Sequence, residues 1–241
     1  MTRTTTQQRA TIIHGYGATP EDHWFGWLAA QLEARGIPTS VPALPDSEAP
    51  DPDRWSTAVA SDIGTPDEGT ILVAHSLGCL TVLRHLSSLD GPWRLGALVL
   101  VSGFVDVLPS LPELDAHIGF VAARLGLAGV AAHVDRLTVI RSDADRYVPP
   151  RHTDRLADLL GTRAQVVAGG GHFLASDGFV TLQAALEAAV RDAPAPPGAG
   201  SAVPGSRPAR LQPAALRSRS IHQVPGAAAE GLPKVCTRHR S

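Results

Sequence analysis

Two stretches of this sequence, T-I-L-V-A-H at residues 70–75 and L-G-A-L-V-L-V-S at residues 95–102, are apolar at almost every position. A strand with one wet face alternates apolar and polar residues, whereas a continuous apolar run needs cover on both faces. A parallel sheet sandwiched between helices provides that cover. Further strand-type runs fall at 11–14, 38–41, 137–141 and 165–168, and helical patterns lie between them at 22–35, 76–89, 151–160 and 178–191. In the first helical pattern Trp24, Trp27, Leu28 and Leu32 recur at helical spacing, and Gly36 follows as a stop. Strands alternating with helices imply crossover connections and a three-layer, doubly wound α/β architecture, with a mostly parallel sheet of about six strands. The longest connection, 103–136, has room for one or two helices but not for a large cap domain.

The alternation stops near Asp192. Residues 193–241 open with A-P-A-P-P-G-A-G and lack periodic apolar spacing, and such a segment buries too little surface to offset its chain entropy. The expected organisation is therefore an α/β domain over 1–192 and a disordered tail over 193–241. Charge divides at the same point. The tail carries seven Arg and Lys against Glu230 alone, a net +6, and the formal total of −2 leaves −8 on residues 1–192. That near-neutral total gives no argument for nucleic acid or membrane as a partner. Residues 1–10 are polar and hold no signal-peptide core, no apolar run reaches the length of a membrane span, and Cys79 and Cys236 do not make a disulfide framework. A soluble, cytoplasmic protein is expected.

The most informative stretch is A-H-S-L-G at residues 74–78, where an apolar strand runs into Ser76 and a helical pattern leaves it. This is the G-x-S-x-G elbow with Ala74 at the first glycine position. A serine on a sharp strand-to-helix turn has a strained backbone, and only small residues fit two positions to either side. The turn exposes the hydroxyl and sets the Leu77 N–H at a helix N-terminus, where it can face a developing oxyanion. A second backbone donor is expected from H-G-Y-G at residues 14–17, after the first strand, with the Tyr16 N–H as candidate. A nucleotide loop is a weaker reading of that turn, because the third glycine of a dinucleotide fingerprint and a P-loop lysine are both missing.

Of ten histidines, His172 alone stands in a glycine-rich turn just after a late strand, in G-G-G-H-F. Such a turn can swing an imidazole over Ser76, in the chain order Ser, Asp, His. His14 and His75 read as neighbours of this machinery without direct proton transfer. For the acid, Asp143 and Asp145 compete after the strand at 137–141. Asp145 is favoured because it sits farther along the turn, and a buried carboxylate there would fix the tautomer of His172. Trp24, Phe104 and Phe173 are candidates for pocket walls. No H-E-x-x-H motif and no paired-cysteine spacing suggest a metal site.

H-G-Y-G, D-H-W-F-G-W-L, V-P-A-L-P-D, D-R-W, A-H-S-L-G-C and G-G-G-H-F occur here in the order found in the YdeN and retinoblastoma-binding-protein-9 family of small serine hydrolases, which the sequence resembles over residues 11–190. The resemblance implies a compact, capless α/β-hydrolase fold without metal or organic cofactor, with Ser76 as nucleophile, Asp145 as acid and His172 as base. Arg146 stands where proline often follows the family's acid. The family member named for retinoblastoma binding carries L-x-C-x-E, but here Thr81 ends L-G-C-L-T, so no retinoblastoma-type partner is expected. The expected function is cleavage of small carboxylic esters or amides through an acyl-enzyme on Ser76. Acyl transfer to a nucleophile other than water would use the same residues. The alternative is a silent hydrolase scaffold that serves as a binding protein.

Overall fold

Arg9–Ile13 forms β1, Thr39–Ser40 β2, Thr70–His75 β3, Ala97–Val101 β4, Leu137–Ser142 β5 and Ala164–Val167 β6. In the computed structural model, which describes residues 7–190, these strands make one sheet in the order β2-β1-β3-β4-β5-β6, with every pair parallel. This open parallel sheet is the architecture expected from the apolar runs. The expected tail over 193–241 lies outside the described residues. No described helix is long and apolar enough to cross a membrane.

The two apolar runs occupy the middle of the sheet and are buried on both faces. Their side chains alternate between two cores. Ile71, Val73, Ala97, Val99 and Val101 face one layer, built by α1 (Phe25–Glu33) and the last helix, Gln183–Val190. Leu72, Ala74, Leu98 and Leu100 face the other, built by α2 (Pro52–Ile63), α3 (Leu77–Ser87), α4 (Asp115–Ala122), α5 (Leu127–Ala132) and α6 (Pro150–Leu159). The last helix is α7. Each fully buried Leu, Ile or Val of these cores contributes about 1.5–3 kcal/mol by leaving water.

Helix α2 is additional to the helical patterns expected from the sequence, although its start signals are present. Asp51 caps it by accepting from the N–H groups of Asp53 and Arg54, Pro52 stands in the first turn, and Trp55, Val59 and Ile63 recur at four-residue spacing on its buried side. The connection 103–136 holds a short 3₁₀ turn and then α4 and α5, which bury Ile118, Val121 and Val130 in the core beside α3.

The strand order reverses between β1 and β3. From β1 the chain moves outward to β2, and from β3 it moves the other way to β4. The carboxyl ends of β1 and β3 therefore flank a crevice, the position where doubly wound sheets bind their ligands.

Candidate active site

Ser76 occupies that crevice at the end of β3. Its φ of 53° and ψ of −124° lie where a side-chain-bearing residue is strained. The turn is held by the Ser76 N–H, which donates to the Val101 carbonyl at 2.9 Å, and by the Ser76 carbonyl, which accepts from the Cys79 N–H at 3.0 Å. Small residues make the turn possible. A Cβ on Gly78 would stand 2.3 Å from the His14 carbonyl oxygen, and one on Gly15 would stand 2.9 Å from Ser76 Cβ. Leu77 is the first residue of α3, so its N–H belongs to the helix end that has no intrahelical acceptor.

His172, in the turn after β6, brings its Nε2 to 3.0 Å from Ser76 Oγ and its Nδ1 to 2.7 Å from Asp145 Oδ2. A carboxylate only accepts, so Nδ1 carries the hydrogen and Nε2 is free to accept from the Ser76 hydroxyl. The Asp145 carboxylate is saturated: Oδ2 also accepts from Ser102 Oγ at 2.8 Å, and Oδ1 accepts from the N–H groups of Tyr147 and Val148, each at 2.9 Å. The Asp145 side chain is 2% exposed and that of His172 8%. Asp143 takes no part in this chain of bonds. Its Oδ1 accepts from the Gly169 N–H at 2.7 Å and so braces the turn that carries His172.

The backbone of His172 is tied on both sides. Its N–H donates to Asp177 Oδ2 at 2.9 Å, and its carbonyl accepts from His75 Nε2 at 2.9 Å. His75 lies beneath it with ring centroids 4.8 Å apart, packed against Trp24 and Phe25. Burial, and then the neighbouring His172, push the His75 pKa well below the ordinary histidine value. His23 reaches across from the loop after β1, its Nδ1 accepting from the Ala175 N–H at 3.1 Å, and burial lowers its pKa as well. Both rings are thus held neutral beside His172.

A cavity of about 240 Å³ opens over Ser76 and His172, walled by Tyr16, Gly17, His23, Leu111, Tyr147 and Leu174. The sequence-based wall residues are elsewhere. Trp24, Phe104 and Phe173 are each 0% exposed, packed into the cores beneath the site. Phe104 packs into the core with α2 and α3, and Trp24 and Phe173 into the core with α1 and the last helix. The actual walls come from loops, where no periodicity marks them: Tyr16 and Gly17 stand in the H-G-Y-G turn, His23 in D-H-W-F-G-W-L, and Tyr147 and Leu174 two residues past Asp145 and His172, whereas Leu111 stands in none of the motifs. Ser102 and Asp177 were also missed. Ser102 could have been found as the residue ending the apolar run before Gly103, at the same sheet edge as Ser76. A larger open cleft of about 460 Å³ beside Trp93 and His133 lies at the amino ends of the strands, away from these groups.

The family described as serine hydrolase matches residues 10–189. YdeN of Bacillus subtilis (strain 168) is 36% identical over 171 residues, 71% of this chain and 88% of that protein. The serine hydrolase RBBP9 of Rattus norvegicus is 23% identical over 168 residues, 68% of this chain and 87% of that one. The crystal structure of the ydeN gene product from B. subtilis has a TM-score of 0.71 at 34% identity, covering 75% of this chain and 96% of that chain.

Proposed function

Because the chain belongs to the serine hydrolase family and is a hydrolase, we propose that it cleaves small carboxylic esters, and amides of similar size, through an acyl-enzyme on Ser76. The observation that carries this reading is the unbroken line from Ser76 Oγ to His172 Nε2 at 3.0 Å and from His172 Nδ1 to Asp145 Oδ2 at 2.7 Å. Ser76 Oγ attacks the carbonyl carbon as its proton passes to His172 Nε2. The oxygen of the tetrahedral intermediate takes up negative charge and is met by the N–H groups of Leu77 and Tyr16. The intermediate collapses, the bond to the leaving alcohol or amine breaks, and His172 returns the proton to that group. Water then gives a proton to His172, adds to the acyl carbon and frees the acid, while Ser76 recovers its hydrogen. Asp145 keeps its charge throughout and stabilises the imidazolium. Water is the only co-reactant the sequence of steps requires.

Ser76→Ala tests the reading. Turnover of p-nitrophenyl acetate should fall by about 10⁴-fold or more, and covalent labelling by a fluorophosphonate should vanish, with the melting temperature unchanged or raised. Full labelling of the alanine variant would place the nucleophile elsewhere. A wild-type protein that neither reacts with the probe nor hydrolyses the ester would favour the binding-protein alternative.

A further inference from the structure

Of the two backbone donors in the proposed reaction, Leu77 sits on the end of a long buried helix, but Tyr16 sits in a loop. We infer that His14 is the positioning residue that aims the Tyr16 N–H at the substrate oxygen, by holding the Gly15–Tyr16 peptide plane through its imidazole. This inference rests on the reading of Ser76 as nucleophile.

His14 directly follows β1 and is 0% exposed. Its Nδ1 stands 2.9 Å from the Gly15 carbonyl oxygen, and its Nε2 stands 3.0 Å from the Leu44 backbone nitrogen. A carbonyl only accepts and a backbone N–H only donates. The ring is therefore neutral, with its hydrogen on Nδ1, and both ring nitrogens are used. Burial agrees with this, since it lowers the His14 pKa against the opposing pull of the Gly15 carbonyl, Asp22 and Glu21.

The Gly15 carbonyl and the Tyr16 N–H are the two ends of one planar trans peptide and point in opposite directions. A ring that captures the oxygen thereby sets the direction of the hydrogen. That peptide lies against the nucleophile, because a Cβ on Gly15 would stand 3.4 Å from Ser76 Oγ. The following N–H, of Gly17, is tied to the Ser47 carbonyl at 2.9 Å. Leu44 and Ser47 belong to the segment after β2, so this segment braces the turn at two points and His14 is the side chain that links them. Packing alone does not account for this arrangement. An apolar ring would fill the space against the edge of Trp55 but would leave the Gly15–Tyr16 peptide free to rotate.

Two variants separate the two bonds. In His14→Asn the side-chain amide nitrogen can take the place of Nδ1 and keep the bond to Gly15. In His14→Gln the longer side chain can meet Leu44 but cannot keep the Gly15 bond. His14→Gln should lose about 10- to 100-fold in kcat with KM little changed, and His14→Asn should recover most of that loss. The ratio of hydrolysis rates for p-nitrophenyl acetate and its thionoester, in which sulfur replaces the carbonyl oxygen, should fall in His14→Gln and return in His14→Asn. A purely structural role would not move that ratio. Full kcat in His14→Gln, or equal losses in both variants with an unchanged ratio, would overturn the inference while leaving Ser76 as nucleophile. The wild-type protein gives an independent check that needs no variant to fold. The ¹⁵N shifts of His14 should report hydrogen on Nδ1 and a bare Nε2, and the opposite tautomer would refute the proposed bond. If wild-type protein lacks esterase activity and probe labelling, it is the reading of Ser76 that has failed.

Discussion

Ser102 Oγ donates to the same carboxylate oxygen of Asp145 that receives His172 Nδ1, at 2.8 Å against 2.7 Å. Both residues are buried, and Ser102 holds a left-handed φ of 48° that only a supporting structure sustains. The carboxylate is thus oriented by the end of β4 as well as by its own turn. In the proposed reaction Asp145→Asn should reduce kcat by about 10³- to 10⁴-fold, because an amide oxygen neither fixes the tautomer of His172 as firmly nor stabilises its cation. Asp143→Asn should cost less than about 10-fold, since its bond goes to the Gly169 N–H, and Ser102→Ala should fall between the two. Steady-state rates on p-nitrophenyl acetate decide the order. If Asp143→Asn were the most damaging of the three, the acid would have to be reassigned.

Close approach of α3 to β1 leads to a stability prediction. A Cβ on Gly78 would meet the carbonyl oxygens of His14 at 2.3 Å and Ile13 at 2.8 Å, both backbone atoms that cannot swing aside. Gly78→Ala should therefore lower stability by about 1–3 kcal/mol or more, read as a lower midpoint in urea. Gly26→Ala is the control. It lies in α1 with nothing within 4 Å of its added methyl and should be neutral or stabilising, because alanine is the better helix former. Equal midpoints for the two variants would show that α3 can retreat from β1 without penalty.

The fold was legible because its central strands carry their burial in the sequence. Leu72 and Val73, or Leu98 and Val99, point to opposite layers, and no half-exposed strand tolerates that pattern. Helix α2 gives a weak periodic signal, because its apolar residues are spread thinly among Asp, Ser and Arg. That Ser76, His172 and Asp145 meet was legible because each stands in a turn just beyond a strand, and parallel strands bring all such turns to one edge. Their supporting groups gave no such signal. Ser102 acts across 43 positions of chain, and nothing local to it encodes its partner, while Asp177 accepts from the N–H groups of His172 and Leu174, five and three positions back, in a turn without periodic spacing. Pocket walls were misplaced for a similar reason: size and aromaticity mark Trp24 and Phe104 equally for a core or a cavity, and only the three-dimensional packing separates the two.

Cavity size sets an expectation for substrate length. At about 240 Å³, the space over Ser76 is smaller than the roughly 300–1,000 Å³ of sites that enclose drug-sized ligands. In a series of p-nitrophenyl esters, kcat/KM should peak at short acyl chains and fall by about 10-fold or more at octanoate. Leu111→Ala removes wall volume and should shift the optimum toward longer chains, with little change in the rate on acetate. A rate that climbs steadily to octanoate in the wild-type protein would show that the acyl group leaves the cavity along a different surface.

Stability should fall on mild acidification. His14, His23, His75, His85, His117 and His152 all have pKa values lowered from 6.5, in each case chiefly by burial. The folded protein holds these protons less tightly than the unfolded chain does. Between 6.5 and the lowered values the unfolded chain binds more protons, so stability rises with pH across that window and is lost as pH falls through it. Asp67 acts lower down. Despite the opposing effect of its burial, bonds from Arg9 and Thr70 hold its carboxyl below 3.8, and its contribution is lost only as pH falls below that value. Melting temperature should therefore drop by roughly 5 °C or more from about pH 7.5 to 5.5, where each kcal/mol is worth about 2–4 °C in a domain of this size. His85→Gln offers a test outside the site. Its Nε2 stands 3.3 Å from the Gly64 carbonyl oxygen, and its removal should flatten the pH dependence without changing kcat at about pH 8. A melting temperature that is level or rises on acidification would mean that the buried histidines do not govern this window.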